Sequence, residues 1–150
     1  MIRRHPLLSA LAAAYVVALA WITLTPAPFG GARTALMARL ATMLAEFGPT
    51  RWITPAGLEF TANLVLFIPF GLLFLALFGR GRWLGILFAG FIASCWIELA
   101  QSVWLPMRDA NPLYVVAHVA GTAVGVSIAV AMTRRETASR PIEVAPVSNH

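Results

Sequence analysis

WLGILFAGFIASCWIELAQSVWL, residues Trp83–Leu105, carries a single formal charge, Glu98, in an otherwise apolar run. A helix needs ~20 predominantly apolar residues to cross the hydrocarbon core of a bilayer, and this stretch is long enough. Three further runs meet the same requirement, approximately Leu7–Thr25, Thr61–Phe78 and Leu113–Thr133. The expected fold is therefore all-α: an integral membrane bundle of four transmembrane helices within residues 1–133. Residues 134–150, rich in Pro, Ser and Thr, read as a disordered cytoplasmic tail.

Composition agrees. The 150-residue chain is 59% hydrophobic and 11% charged, and a soluble domain of this size cannot cover its surface with so few charges. The formal net charge of +5 comes from eleven basic residues, all arginine. Nucleic-acid binders cluster such charges on one face, whereas here they stand in short groups between apolar runs. That pattern is one of membrane topology and excludes nucleic acid as a partner. The single cysteine, Cys95, lies inside an apolar run, so disulfides do not build the scaffold.

The first span follows Met-Ile-Arg-Arg and exceeds the ~7–15 residues of a signal-peptide core, so it reads as a retained anchor. Arg3, Arg4, Arg80, Arg82, Arg134, Arg135 and Arg140 fall on one side of a four-span protein, and Arg33, Arg39, Arg51 and Arg108 on the other. Cytoplasmic loops carry the arginine excess. Both termini are expected in the cytoplasm, with the protein multi-pass.

The first outer loop has a pattern of its own. Leu36, Leu40, Met43, Leu44 and Phe47 recur at i, i+4, i+7, i+8 and i+11, the stripe of an amphipathic helix. Its expected place is the outer membrane interface. Proline-containing stretches, TPAPFGG and GPTRWITPAG, bracket it as breaks.

Polar residues within the spans point to a site. Ser94, Glu98 and Gln101 stand at i, i+4 and i+7, on one helical face. An ionised carboxylate near the bilayer centre costs about 2.5–3.5 kcal/mol on insertion scales, so Glu98 is expected to face protein or a wet cavity. Antiparallel topology brings Asn63 on the second span and His118 on the fourth to a similar depth. Arg108, in the outer connection, can fold over the same place. Glu98 and His118 are the candidates for general acid–base work. Polar residues in a membrane also serve as interhelical glue, at ~0.6 kcal/mol each. A Ser94–His118–Glu98 triad is a poor layout, because the serine and the acid share one helix. Neither a phosphate-binding glycine loop nor a metal-ligand spacing occurs, so no metal and no cofactor are expected.

Ala117, Gly121, Gly125 and Ala129 repeat every four residues, a small-xxx-small face for close helix approach. In the second span Pro69 frees a backbone carbonyl and is expected to kink the helix.

With NLVLFIPFG (Asn63–Gly71), SCWIELAQ (Ser94–Gln101), Arg108 and GTAVG (Gly121–Gly125) in this order and spacing, the chain resembles the VanZ-like family of small bacterial membrane proteins. The resemblance implies a cytoplasmic-membrane protein of the cell envelope. The family's founding member is associated with resistance to the glycopeptide teicoplanin. The matching polar positions are Asn63, Ser94, Glu98, Gln101 and Arg108. After the arginine the family commonly carries an Asp and, four residues on, an Asn; here these places hold Tyr114 and His118. The leading expectation is an outer-leaflet polar pocket that binds a lipid-linked cell-wall precursor or a lipoglycopeptide among the membrane lipids. The alternatives are an intramembrane enzyme acting on such a lipid, and a structural or proton-coupled subunit.

Overall fold

The computed structural model describes residues 6–25, 30–46, 54–105 and 111–138. Helix α1 runs Pro6–Leu24, α2 Gly30–Glu46, α3 Pro55–Phe78, α4 Trp83–Trp104 and α5 Pro112–Ala138, with a 3-10 turn at Arg80–Arg82 between α3 and α4. No strand occurs among the described residues. Helices α1, α3, α4 and α5 are each long and apolar enough to cross a membrane, as the sequence leads one to expect.

Helix ends follow local chemistry. The side chain of Thr54 accepts a hydrogen bond from the Gly57 N–H at 3.1 Å, and Pro55 opens α3, where its missing N–H leaves nothing unsatisfied. Part of the stretch read as a break is thus a helix start, and α3 begins at Pro55 rather than near Thr61. Asn111 does the same for α5: its side-chain oxygen accepts from the Leu113 N–H at 3.0 Å, with Pro112 the first helical residue. Between α3 and α4 the chain reverses at Gly79, whose φ of +87° favours a residue without Cβ. Arg80 and Arg82 are exposed in the turn. At the other end α5 continues past Thr133 through Arg134 and Arg135 to Ala138. Arg, Glu and Ala are good helix formers, so the change from apolar to charged composition does not stop the helix. The rest of the expected tail, 139–150, lies outside the described residues.

Helices α3 and α5 form the centre of the bundle. A Cβ on Gly121 would stand 2.0 Å from the Leu64 carbonyl oxygen, and one on Gly125 2.0 Å from that of Ile68. From the facing side, a Cβ on Gly71 would meet the Thr122 carbonyl oxygen at 2.1 Å. Every one of these distances is far inside van der Waals contact, so the two backbones touch along a seam only glycine permits. Ala117 and Ala129 are buried at its ends. This is the close approach that the four-residue repeat predicts.

Around the seam lie Phe67, Phe70, Leu75, Val126 and Ala129, with Ile86 from α4 and Leu19 from α1. Helix α3 continues through Pro69. One turn of it is engaged by α1, whose Tyr15 hydroxyl donates to the Leu66 carbonyl at 2.8 Å. The outward faces of α1 and α4 carry exposed Trp21, Phe88, Trp96 and Trp104.

Helix α2 occupies the loop where the amphipathic stripe is expected. It touches α3, and Leu44 is half-buried, yet Leu36, Leu40 and Met43 remain exposed, so the described residues leave most of its apolar stripe uncovered. Phe47, the last residue of the stripe, lies outside the described residues.

Candidate functional site

The site assembles where α4 ends and α3 and α5 begin. At 1.5 Å per helical residue, Glu98 stands ~9 Å from the end of α4 and His118 ~9 Å from the start of α5. Asn63 stands ~12 Å from the start of α3. Asn63, Ser94, Gln101 and His118 are all buried, while Glu98 is half-buried. The face shared by Ser94, Glu98 and Gln101 is turned towards the bundle. Arg108, the remaining candidate, lies outside the described residues, as does Asp109.

His118 is the centre of the buried part. Ser94 Oγ lies 2.7 Å from its Nδ1, and Phe67 stacks on the imidazole with centroids 4.0 Å apart and planes 20° from parallel. One turn further on, Thr122 Oγ1 donates to the His118 carbonyl at 2.9 Å. The Thr122 side chain also fixes how near α4 comes. A Cβ on Gly90 would meet Thr122 Oγ1 at 2.7 Å, so glycine at 90 lets α4 close on α5 and brings Ser94, one turn later, to the histidine. When the imidazole is neutral with its proton on Nε2, Ser94 donates to Nδ1. With the proton on Nδ1, the histidine donates and the serine accepts. Equal depth groups His118 with Glu98, but the contact made by its Nδ1 is to Ser94.

The half-buried part belongs to Glu98. Its Oε2 accepts from the Asn111 N–H at 3.2 Å, the residue that caps α5. A carboxylate at a helix N-terminus is favoured by the partial positive charge of the unsatisfied N–H groups there. In the same turn, the Tyr114 hydroxyl donates to Glu59 Oε2 at 2.8 Å. The first turn of α5 is thus held between two carboxylates, one from α4 and one from α3. In the sequence Glu59 counts only as a charge of the outer loop, because it precedes the apolar run of α3; the capping signal Thr54-Pro55 places it on the helix.

Gln101 acts on α1. Its Nε2 donates to the Thr23 carbonyl at 2.9 Å, one of the carbonyls that the end of a helix leaves without an internal donor. A side chain of α4 therefore caps α1, and Thr23 is buried beneath it. Leu24, the next residue, forms with Trp96, Ile97, Leu99, Ala100, Val103 and Trp104 a wholly apolar cleft of about 320 Å³ along the last turns of α4. Among the described residues no group of three or more His, Cys, Asp or Glu side chains is placed to hold a metal ion.

A bundle of four membrane-length helices with a buried Ser–His pair and a carboxylate at its mouth defines a polytopic helical membrane protein with a polar intramembrane centre. The chain matches the VanZ/LLP1 family over residues 12–133 and belongs to that family. No curated protein and no solved structure matches it.

Proposed function

We propose that the chain is a bacterial inner-membrane protein, both termini cytoplasmic, that holds a lipid-linked or lipid-tailed envelope molecule at the outer end of the bundle. The observation that carries this reading is the position of Glu98: a half-buried carboxylate at the first turn of α5, on the helix that also lines a wholly apolar cleft. A polar head group meets Glu98, with Arg108 of the outer connection as the second charged candidate, while an acyl or prenyl tail lies along Trp96, Leu99 and Val103. Gln101 contributes by capping α1 and so keeping Leu24 in the cleft wall. Asn63, Ser94 and His118 form the polar floor. The exposed stripe of α2 rests in the outer interface beside this mouth. In a family whose founding member is associated with teicoplanin resistance, a lipoglycopeptide or a lipid-linked cell-wall precursor suits such a site, and resistance or envelope homeostasis follows from its capture.

A second reading is favoured by the 2.7 Å contact between Ser94 and His118: an intramembrane enzyme in which Glu98 or His118 acts as general base. The complete burial of Ser94 argues for the binding role, since a reacting atom must reach its catalyst. Replacing Glu98 by Gln keeps size and most hydrogen bonding but removes charge and basicity. Mass spectrometry of lipids that co-purify with the chain in mild detergent is expected to find an envelope lipid whose yield falls about tenfold in Glu98→Gln, as the loss of a charged hydrogen bond predicts. An unchanged lipid profile in the variant overturns the binding reading. A chemically altered envelope lipid in cells expressing the wild type, absent with Glu98→Gln, establishes the enzyme instead.

A further inference from the structure

At the opposite end of the bundle from Glu98 a second cleft, about 520 Å³, opens between α5 and the α3–α4 turn. Its lining is Arg80, Trp83, Val126, Ser127, Val130 and Ala131. Unlike the cleft along the end of α4, it joins a cation and a hydroxyl to an apolar bed. Val126 is buried and forms the floor, while Trp83, 45% exposed, stands as one wall. Arg80 is exposed at the rim, and no lining residue is acidic.

From this arrangement we propose that the cleft binds an anionic phospholipid. The phosphate rests on the Arg80 guanidinium, whose planar fork matches phosphate oxygens. One acyl chain lies on Val126, Val130 and Ala131. Trp83 sits at the level where tryptophans collect, between head groups and chains. Charge complementarity selects this occupant over a zwitterionic lipid or a second helix, because a helix packed on the valines leaves the arginine without a counter-charge. Basic pockets between transmembrane helices on the side of the arginine excess take anionic head groups for the same reason. The site is independent of the proposed function at the outer end, and neither reading depends on the other.

The test uses the full chain, purified in mild detergent and offered mixed micelles containing either phosphatidylglycerol or phosphatidylcholine, with retained lipid counted by native mass spectrometry. The wild type is expected to retain phosphatidylglycerol preferentially. Arg80→Gln is expected to reduce that preference about fivefold, the factor for losing one arginine near an anionic surface. Ala131→Phe, which fills the cleft from an exposed position without changing charge, is expected to reduce it as well. Arg82→Gln, in the same turn but outside the cleft lining, is expected to leave it nearly intact. Thermal unfolding of each variant checks that the bundle is preserved. Equal losses from Arg80→Gln and Arg82→Gln mean diffuse surface charge and overturn the site. So does a wild type with no preference, or an undiminished preference in Ala131→Phe.

Discussion

Gly125 and Gly85 are both helical glycines with opposite surroundings. A Cβ at 125 falls 2.0 Å from the Ile68 carbonyl oxygen and 2.9 Å from the Leu72 nitrogen, whereas at 85 nothing lies within 4 Å. Backbone atoms cannot turn aside as a side chain can, so Gly125→Ala must push α5 off α3. Overpacking of this kind costs about 1–3 kcal/mol, and the lost seam contacts add to it. Gly85→Ala relieves the entropic cost of glycine in a helix and is expected to be neutral or stabilising by up to about 1 kcal/mol. Unfolding of the two variants in detergent, followed by helical circular dichroism, checks the pair. A Gly125→Ala protein as stable as wild type contradicts the seam. The repeat Ala117–Gly121–Gly125–Ala129 was legible in the sequence because spacing alone puts it on one face. Its partner was not, since a backbone carbonyl leaves no mark in a sequence.

Among the elements, α1 is held by polar contacts at two points. Tyr15 reaches the Leu66 carbonyl on α3, and Gln101 of α4 reaches the Thr23 carbonyl. Removing the hydroxyl in Tyr15→Phe keeps the ring but takes the donor away from the Leu66 carbonyl. A loss of about 1 kcal/mol is expected, together with faster proteolysis of α1 relative to the rest of the bundle. Uniform destabilisation with no change at α1 speaks against a specific tether. The site shows the same division between what a sequence holds and what it hides. Ser94, Glu98 and Gln101 on one face, and Asn63 and His118 near their depth, follow from helical period and antiparallel topology. That Ser94 meets His118 depends on the register of α4 against α5, which Gly90 and Thr122 set by contact. Period and depth do not determine register. Likewise Thr54-Pro55 reads as a break to anyone counting prolines and as a start once the cap is seen.

For the whole molecule the distribution of arginine carries a topological prediction. With Cys95 replaced by Ser, a cysteine at Gly81 in the exposed α3–α4 turn is expected to react with a membrane-impermeant thiol reagent only after the membrane is opened. A cysteine at Glu46, at the end of α2, is expected to react in intact spheroplasts. The reverse pattern inverts the orientation and moves the Glu98 mouth to the cytoplasmic side.

The glycine seam also limits how such a molecule can move. Sliding α5 along α3 by less than a turn replaces a glycine with a side chain opposite the Leu64 or Ile68 carbonyl, where there is no room for one. A slide of four residues, ~6 Å along the axis, returns one glycine to a carbonyl but sets Ala117 or Ala129 against the other, so the pair has one register and no neighbouring step. Helices α3 and α5 are thus the fixed keel of the bundle.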